Sequence, residues 1–421
     1  MSMLILSNRF LSFSPGFIGI GQALVVVQIA ALFFSPPLVN LSEFLVYLIA
    51  LFVPRVRSQL REFLFTTAGK WFLAFLAVIL IGALWSWFQK ILDFGVLVSW
   101  RKILMLPVAA ALFKDNVRAQ RSFLVVFLVV CTVAVLVSLT RFLIFGDGSV
   151  VRNYSTQSMF FSVGLVSALY LCVSASDKRA KLICACFLLI ILCALVFGTA
   201  GRSGYLAVLI MLVAFFILSV VRRRAAIAVA AVAFTSSILV LGLMFSPLAS
   251  ERSKQAVAEL REPVSNISQT SLGQRKLFWE RTVEMLPKYA AFGAGTGSFE
   301  TAYKRHMHDN YPGVETILTR DPHNQFLKIV IEQGAIGLIC FLGLLFFLGR
   351  NFIGSPYGEL GLLVISGWVA SGFINSHFTT FSEGRFIWIW LGVFLSSSRL
   401  FTQGLRQSSL GFGGAHLSGK K

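Results

Sequence analysis

Twelve stretches of mostly apolar residues, each close to twenty long and separated by charged or Gly/Pro-rich breaks, constrain this chain more than any other feature. They fall at 17–34, 38–54, 71–88, 95–113, 122–145, 157–175, 181–199, 203–221, 225–246, 324–348, 357–376 and 385–402. A hydrocarbon core about 30 Å thick is crossed by about 20 residues of helix. Inside it every backbone polar group needs a partner from the chain itself, which helices supply. The expected fold is therefore an all-α polytopic membrane protein of about 12 transmembrane helices. Composition agrees: 57% of the 421 residues are hydrophobic and only 13% charged, against about 25% charged in soluble domains.

The net charge of +19 would suggest nucleic acid in a soluble protein, but in a membrane protein it reflects basic cytosolic loops. No nucleic-acid partner is implied. Basic residues collect after alternate spans: Arg55, Arg57, Arg61 and Lys70; Lys114, Arg118 and Arg121; Lys178, Arg179 and Lys181; Arg222, Arg223 and Arg224; Arg350; and Arg399, Arg406, Lys420 and Lys421. Those loops and both termini are expected on the cytosolic side. No cleavable signal peptide is evident, because the first apolar run leads into Ser35-Pro36-Pro37. All six cysteines, Cys131, Cys172, Cys184, Cys186, Cys193 and Cys340, fall in apolar runs and give no disulfide framework.

One loop breaks the rhythm. Residues 247–323 carry ten Lys/Arg and nine Asp/Glu and fall on the outer side in this register. The chain thus divides into nine spans over 1–246, a large helical loop domain over 247–323, three spans over 324–402, and a flexible cytoplasmic tail over 403–421. Gln274 to Met285 reads as helix within the loop, and the glycines at 293, 295 and 297 as a flexible turn.

Polar chemistry gathers on that outer side. Asp321-Pro322-His323 has the form of an N-cap followed by proline, which predicts a helix from Pro322 with His323 in its first turn. The dipole there would favour a neutral imidazole able to accept a proton; the alternative is a surface histidine in a cap. Arg202, in the turn Gly201-Arg202-Ser203-Gly204, lies beside free helix amides and can hold an anion, or can snorkel to lipid headgroups. Arg275 has Trp279 one turn later, a spacing at which the ring can stack on the guanidinium. Arg101, Lys102, Arg281 and Arg320 are further candidates for a basic outer pocket. Glu332 and Lys328 are spaced for an i,i+4 ion pair, with a proton relay as the second reading. His306 and His308 are weak evidence for a metal, and none is expected.

Taken together, the GRSG turn at 201–204, one large late loop containing Arg275, and His323-Asn324-Gln325-Phe326-Leu327 followed by Glu332-Gln333-Gly334-Ala335-Ile336-Gly337-Leu338 resemble the O-antigen ligase and polymerase superfamily. The resemblance implies a bacterial inner-membrane glycosyltransferase with its active site facing the periplasm, so that the large loop is periplasmic. It implies transfer of O-antigen from an undecaprenyl-pyrophosphate-linked glycan donor to a sugar hydroxyl of a lipid A–core acceptor, without cofactor, nucleotide or metal. By motif, the family's essential arginines fall on Arg202 and Arg275 and its essential histidine on His323, as general base. Arg101, Lys102, Arg281, Arg320 and Trp279 remain candidates for substrate binding. The alternatives are an O-antigen polymerase acting on undecaprenyl-linked repeat units and, from a different class, a secondary transporter or lipid flippase.

Overall fold

A computed structural model of the chain describes residues 11–198, 201–221, 229, 232–237, 240, 244, 254, 271–312, 318–353, 355 and 357–395. Their regular structure is entirely helical. The helices are α1 (Gly16–Phe34), α2 (Pro36–Phe52), α3 (Pro54–Phe65), α4 (Thr67–Phe88), α5 (Phe94–Trp100), α6 (Met105–Phe113), α7 (Val117–Phe145), α8 (Tyr154–Ser174), α9 (Lys178–Cys193), α10 (Arg202–Val221), α11 (Ser271–Glu284), α12 (Leu286–Tyr289), α13 (Phe299–Asn310), α14 (Gln325–Phe352), α15 (Gly358–Gly372) and α16 (Phe381–Leu395). A 3-10 turn at Arg101–Leu104 joins α5 to α6, and a π turn at Ala194–Gly198 ends α9.

Eight of these segments are long and apolar enough to cross a membrane, among them α1, α4, α5 with α6, α7, α8, α10 and α14. The expected span at 225–246, the part of the expected span 385–402 beyond Leu395, most of the loop before Ser271, and the tail lie wholly or largely outside the described residues. The expected second span stops at Phe52. Pro54 withdraws one amide and clashes with the preceding turn, and α3 leaves at 90° to α2. It buries only Val56 and Phe63 and carries Arg55, Arg57 and Arg61, the pattern of a helix lying along a membrane surface.

At the centre of the bundle, α16 buries every residue from Ser382 to Leu395. It packs on α6 and α15, while α8 packs on α10 and α4 on α14. Phe386 stacks on Phe160 at 4.7 Å between centroids, on Trp368 at 5.3 Å and on Trp390 at 5.3 Å. Such pairs add about 0.5–1.5 kcal/mol each beyond the area they bury. Because α16 is enclosed all round, its first turn carries Glu383 and Arg385 into the interior.

The segment 271–312 forms a helical cap on this bundle. Phe278, Met285, Phe299, Tyr303 and Met307 make a separate small core, completed by Ile331 of α14. The cap is fastened where α14 breaks. Gly334 stands at φ 68°, ψ −173°, and a Cβ there would come within 2.4 Å of the Ala291 carbonyl, so only glycine fits. The break strands helix carbonyls and amides, which the connection between α12 and α13 engages. Ala294 and Gly295 donate to Ile331 and Glu332 at 2.7 and 2.8 Å, and Ala335 donates to Ala290 at 2.7 Å. The glycine-rich stretch expected to be a flexible turn is therefore a buried clasp: Gly295 and Gly297 are enclosed, with Gly295 against Ser86 of α4.

Candidate active site

The helix expected from Pro322 starts later. Asn324 is its N-cap, accepting from the amides of Phe326 and Leu327 at 3.0 Å each. Asp321 instead closes a turn around His323, its Oδ1 accepting from the His323 amide at 2.7 Å and from Ser376 Oγ at 2.7 Å. His323 therefore lies just ahead of α14 with φ at +53°. A residue with a Cβ is held in this left-handed region only when its surroundings over-determine it, at a cost on the order of 1 kcal/mol or more. Here they do. Trp279 Nε1 donates to the His323 carbonyl at 3.4 Å, and the Phe278 ring lies over the imidazole at 6.2 Å and 21°.

The ring's own bond sets its chemistry. His323 Nδ1 is 3.3 Å from Asn375 Oδ1, and Asn375 Nδ2 donates to Ser203 Oγ at 3.0 Å. With its amide nitrogen turned to Ser203, Asn375 presents a carbonyl oxygen to the imidazole. Nδ1 then carries the proton, and Nε2 is left as the acceptor.

Ser203 brings the GRSG turn to the same place. The turn passes so close to α8 that a Cβ on Gly201 would meet Ser158 Oγ at 2.1 Å, and one on Gly204 would meet Ser158 Cβ at 2.4 Å. Both glycines are needed for that approach. Arg202 opens α10 beside Ser203; its side chain lies outside the described part of the structure. Arg275 and Phe278, three residues apart on α11, share a helix face, and the Arg275 charge reaches His377.

His377, on the connection between α15 and α16, is buried, with neither ring nitrogen hydrogen-bonded among the described residues. Its Nδ1 lies 3.6 Å from Glu383 Oε1. Burial, with Arg275 adding to it, holds this imidazole below its ordinary value despite Glu383. The sequence analysis gives no role to His377, Asn375 or Ser376. Their only signal was a polar run, Asn375-Ser376-His377, between two apolar helices.

Other candidates are dispersed. Lys328 pairs with Asp321 at 2.8 Å rather than with Glu332 as expected, because the late helix start places Asp321 within its reach. Burial alone would raise the Asp321 carboxyl, but Lys328 and Ser376 hold it below its usual range. Glu332 is buried and accepts from Gln333 at 3.3 Å. Arg281 belongs to the cap, bound to Glu284 at 2.6 Å with its guanidinium 3.7 Å over the Tyr311 ring. Arg320 is 82% exposed and meets Glu300 at 3.1 Å. His306 and His308 stand two apart on α13, which turns the imidazoles to different sides of the helix; His306 is held by Glu284 at 3.1 Å. Arg101 and Lys102 line a different cavity, with Thr379 and Arg385.

Fold and site together define an integral membrane protein whose polar centre is assembled where a helical cap meets the ends of several buried helices. Residues 186–342 match the family model described as O-Antigen ligase, a stretch that contains the GRSG turn, Arg275 and His323. Over that stretch the chain is similar to the O-antigen ligase family, which supports the resemblance to that superfamily. No curated protein matches the chain.

Proposed function

We propose that the protein is an O-antigen ligase, a glycosyltransferase moving O-antigen from undecaprenyl pyrophosphate to a sugar hydroxyl of lipid A–core at the periplasmic face of the bacterial inner membrane, with both termini cytoplasmic. The observation that carries this reading is the convergence on His323 of three separate stretches of chain: the GRSG turn through Ser203 and Asn375, α11 through Phe278 and Trp279, and the turn closed by Asp321. Undecaprenyl pyrophosphate is a good leaving group, so the donor needs positive charge on its phosphates more than it needs acid. Arg202 and Arg275 supply it, with planar forks suited to phosphate oxygens. The acceptor hydroxyl is a poor nucleophile. As its oxygen bonds to the anomeric carbon, its proton passes to His323 Nε2. The bond from that carbon to the pyrophosphate breaks with its electron pair on the departing oxygen, and the configuration inverts.

The test is transfer by the purified full-length protein from an undecaprenyl-linked glycan to lipid A–core in the presence of EDTA. His323→Ala is expected to lower the rate by about 10²–10⁴-fold, the usual contribution of a positioned base, with the thermal midpoint retained. Full activity in that variant refutes the assignment. Transfer to an undecaprenyl-linked repeat unit in place of lipid A–core would make the protein a polymerase built on the same site.

A further inference from the structure

Across the 373–380 connection from His323 lies a cavity of about 470 Å³ that none of the chemistry above uses. Arg101, Lys102, Arg152 and Arg385 face it, with Asn40 and Thr379 between them. Carboxylates are fewer. Glu43, buried beneath the cavity, is shared between Arg101 at 3.4 Å and Arg385, whose Nε donates to its other oxygen at 2.5 Å. Glu383 accepts from two hydroxyls, Thr156 at 2.6 Å and Thr380 at 2.8 Å.

Two cations are left over. Arg152 meets only the Phe381 ring, 5.9 Å away, among the described residues. Lys102 is 4% exposed, and its ammonium makes one bond, 2.6 Å to the Thr379 carbonyl. An ammonium taken out of water with no carboxylate among the described residues in ion-pair contact costs several kcal/mol, so a fold that keeps one at a cavity wall, next to three guanidinium groups, leaves room for an anion to complete it.

We propose that this cavity binds the phosphate groups of a membrane-anchored lipid, as a second anion site separate from Arg202 and Arg275. Guanidinium forks and a lysine point charge together suit phosphate oxygens. A lipid fits better than a soluble ion because apolar surface adjoins the charges. Val98, on the cavity wall, is 48% exposed, and Leu41, Phe44 and Phe94 on α2 and α5 are exposed beside it. Headgroup and acyl chain can then be engaged together. The ligase reading is needed only for which lipid this is: with Arg202 and Arg275 on the donor pyrophosphate, the cavity takes the phosphates of the acceptor.

Binding to the purified full-length protein in detergent, read by native mass spectrometry, tests this with four probes: diphosphoryl lipid A, the same lipid dephosphorylated, undecaprenyl pyrophosphate, and inorganic pyrophosphate as competitor. Arg152→Gln, at an exposed position that folding tolerates, is expected to weaken diphosphoryl lipid A by about tenfold, the scale of one lost charge-assisted contact. It should leave the dephosphorylated lipid unchanged. Lys102→Gln should do the same or more, and Arg152→Lys should recover part of the loss. A loss confined to undecaprenyl pyrophosphate keeps the phosphate site and assigns it to the donor. Wild-type binding of every phosphorylated probe by Arg152→Gln and Lys102→Gln overturns the proposal, as does displacement by inorganic pyrophosphate with no lipid retained. His323→Ala should bind all four probes as the wild type does. If that variant is also fully active, the ligase reading falls while the cavity stands.

Discussion

Two polar clusters flank the connection between α15 and α16, and they are built on opposite plans. Around His323 nearly every contact is an orienting one: Asp321 fixes the backbone, Asn375 fixes the ring nitrogen, Phe278 fixes the ring plane, and the Lys328 charge is neutralised by Asp321. Around Lys102 and Arg385 the contacts hold charge, and cations outnumber carboxylates. The first plan suits an atom that must receive a proton in one direction; the second suits a ligand that must be held against departure. Preorganised polar groups pay their ordering cost in folding rather than at the moment of reaction, so on the proposed function the difference would separate a place for chemistry from a place for binding.

Removing the carboxylate shared by Arg101 and Arg385 is the largest perturbation of this contrast. Glu43→Gln leaves the buried Arg385 guanidinium without its counter-ion, and breaking a buried pair in this way costs about 3–5 kcal/mol. A steep drop in the thermal midpoint, measured in detergent, is expected. An unchanged midpoint would mean that water already solvates and screens the cluster, and would weaken the contrast at its cationic end.

Next comes the positioning residue of the other cluster. Asn375→Leu removes the acceptor that holds His323 Nδ1–H and the link to Ser203, while leaving the imidazole in place. Turnover is expected to fall by about 10–100-fold, a fraction of what a general base contributes, with little change in KM for either lipid. Asn375→Asp, which keeps an acceptor at the same atom, should restore much of the rate. A loss in KM alone would place Asn375 in binding instead.

The legibility of these two clusters in the sequence was unequal, for physical reasons. The spans at α1, α4, α7, α8 and α10 were readable because an apolar run has no other low-energy environment. His323 stood out through its motif. Its surroundings did not. Asp321 and Asn324 both have the chemistry of an N-cap, and only the packed Ser376 and Lys328 decide that Asp321 closes the preceding turn. Lys328 could reach Glu332 by helical spacing or Asp321 by tertiary contact, and local spacing carries no information about the second. The glycines at 293–297 resemble any flexible turn until the break at Gly334 supplies the carbonyls they clasp. Arg152 and Arg385, more than 200 residues apart in the chain, share a cavity for which no local pattern exists.

Acidification sharpens the comparison more gently. The Asp321 carboxyl is held below its usual range. For a depressed carboxylate, the stabilisation is fully present above the unfolded value, about 3.9, and is lost as pH falls through the lower folded value. The thermal midpoint contribution of this group should therefore be flat from neutrality down to the ordinary carboxylate range and decline below it. Asp321→Asn should start lower at neutral pH and lack that part of the decline; an identical acid profile in the variant would remove Asp321 from the account.

The smallest effect belongs to a charge that sequence reading put in the site and geometry puts at its edge. Arg320 is three residues from His323, yet its guanidinium points into solvent and, among the described residues, meets only Glu300 of the cap. An exposed ion pair contributes about 0–1 kcal/mol because water screens it and both side chains lose freedom in forming it. Arg320→Ala should then leave the transfer rate within about twofold of wild type, a difference of roughly 0.4 kcal/mol in the barrier, and raising the salt concentration should erase even that. A tenfold loss that persists in high salt would show that proximity to the His323 turn, rather than burial and orientation, decides which cations act on substrate.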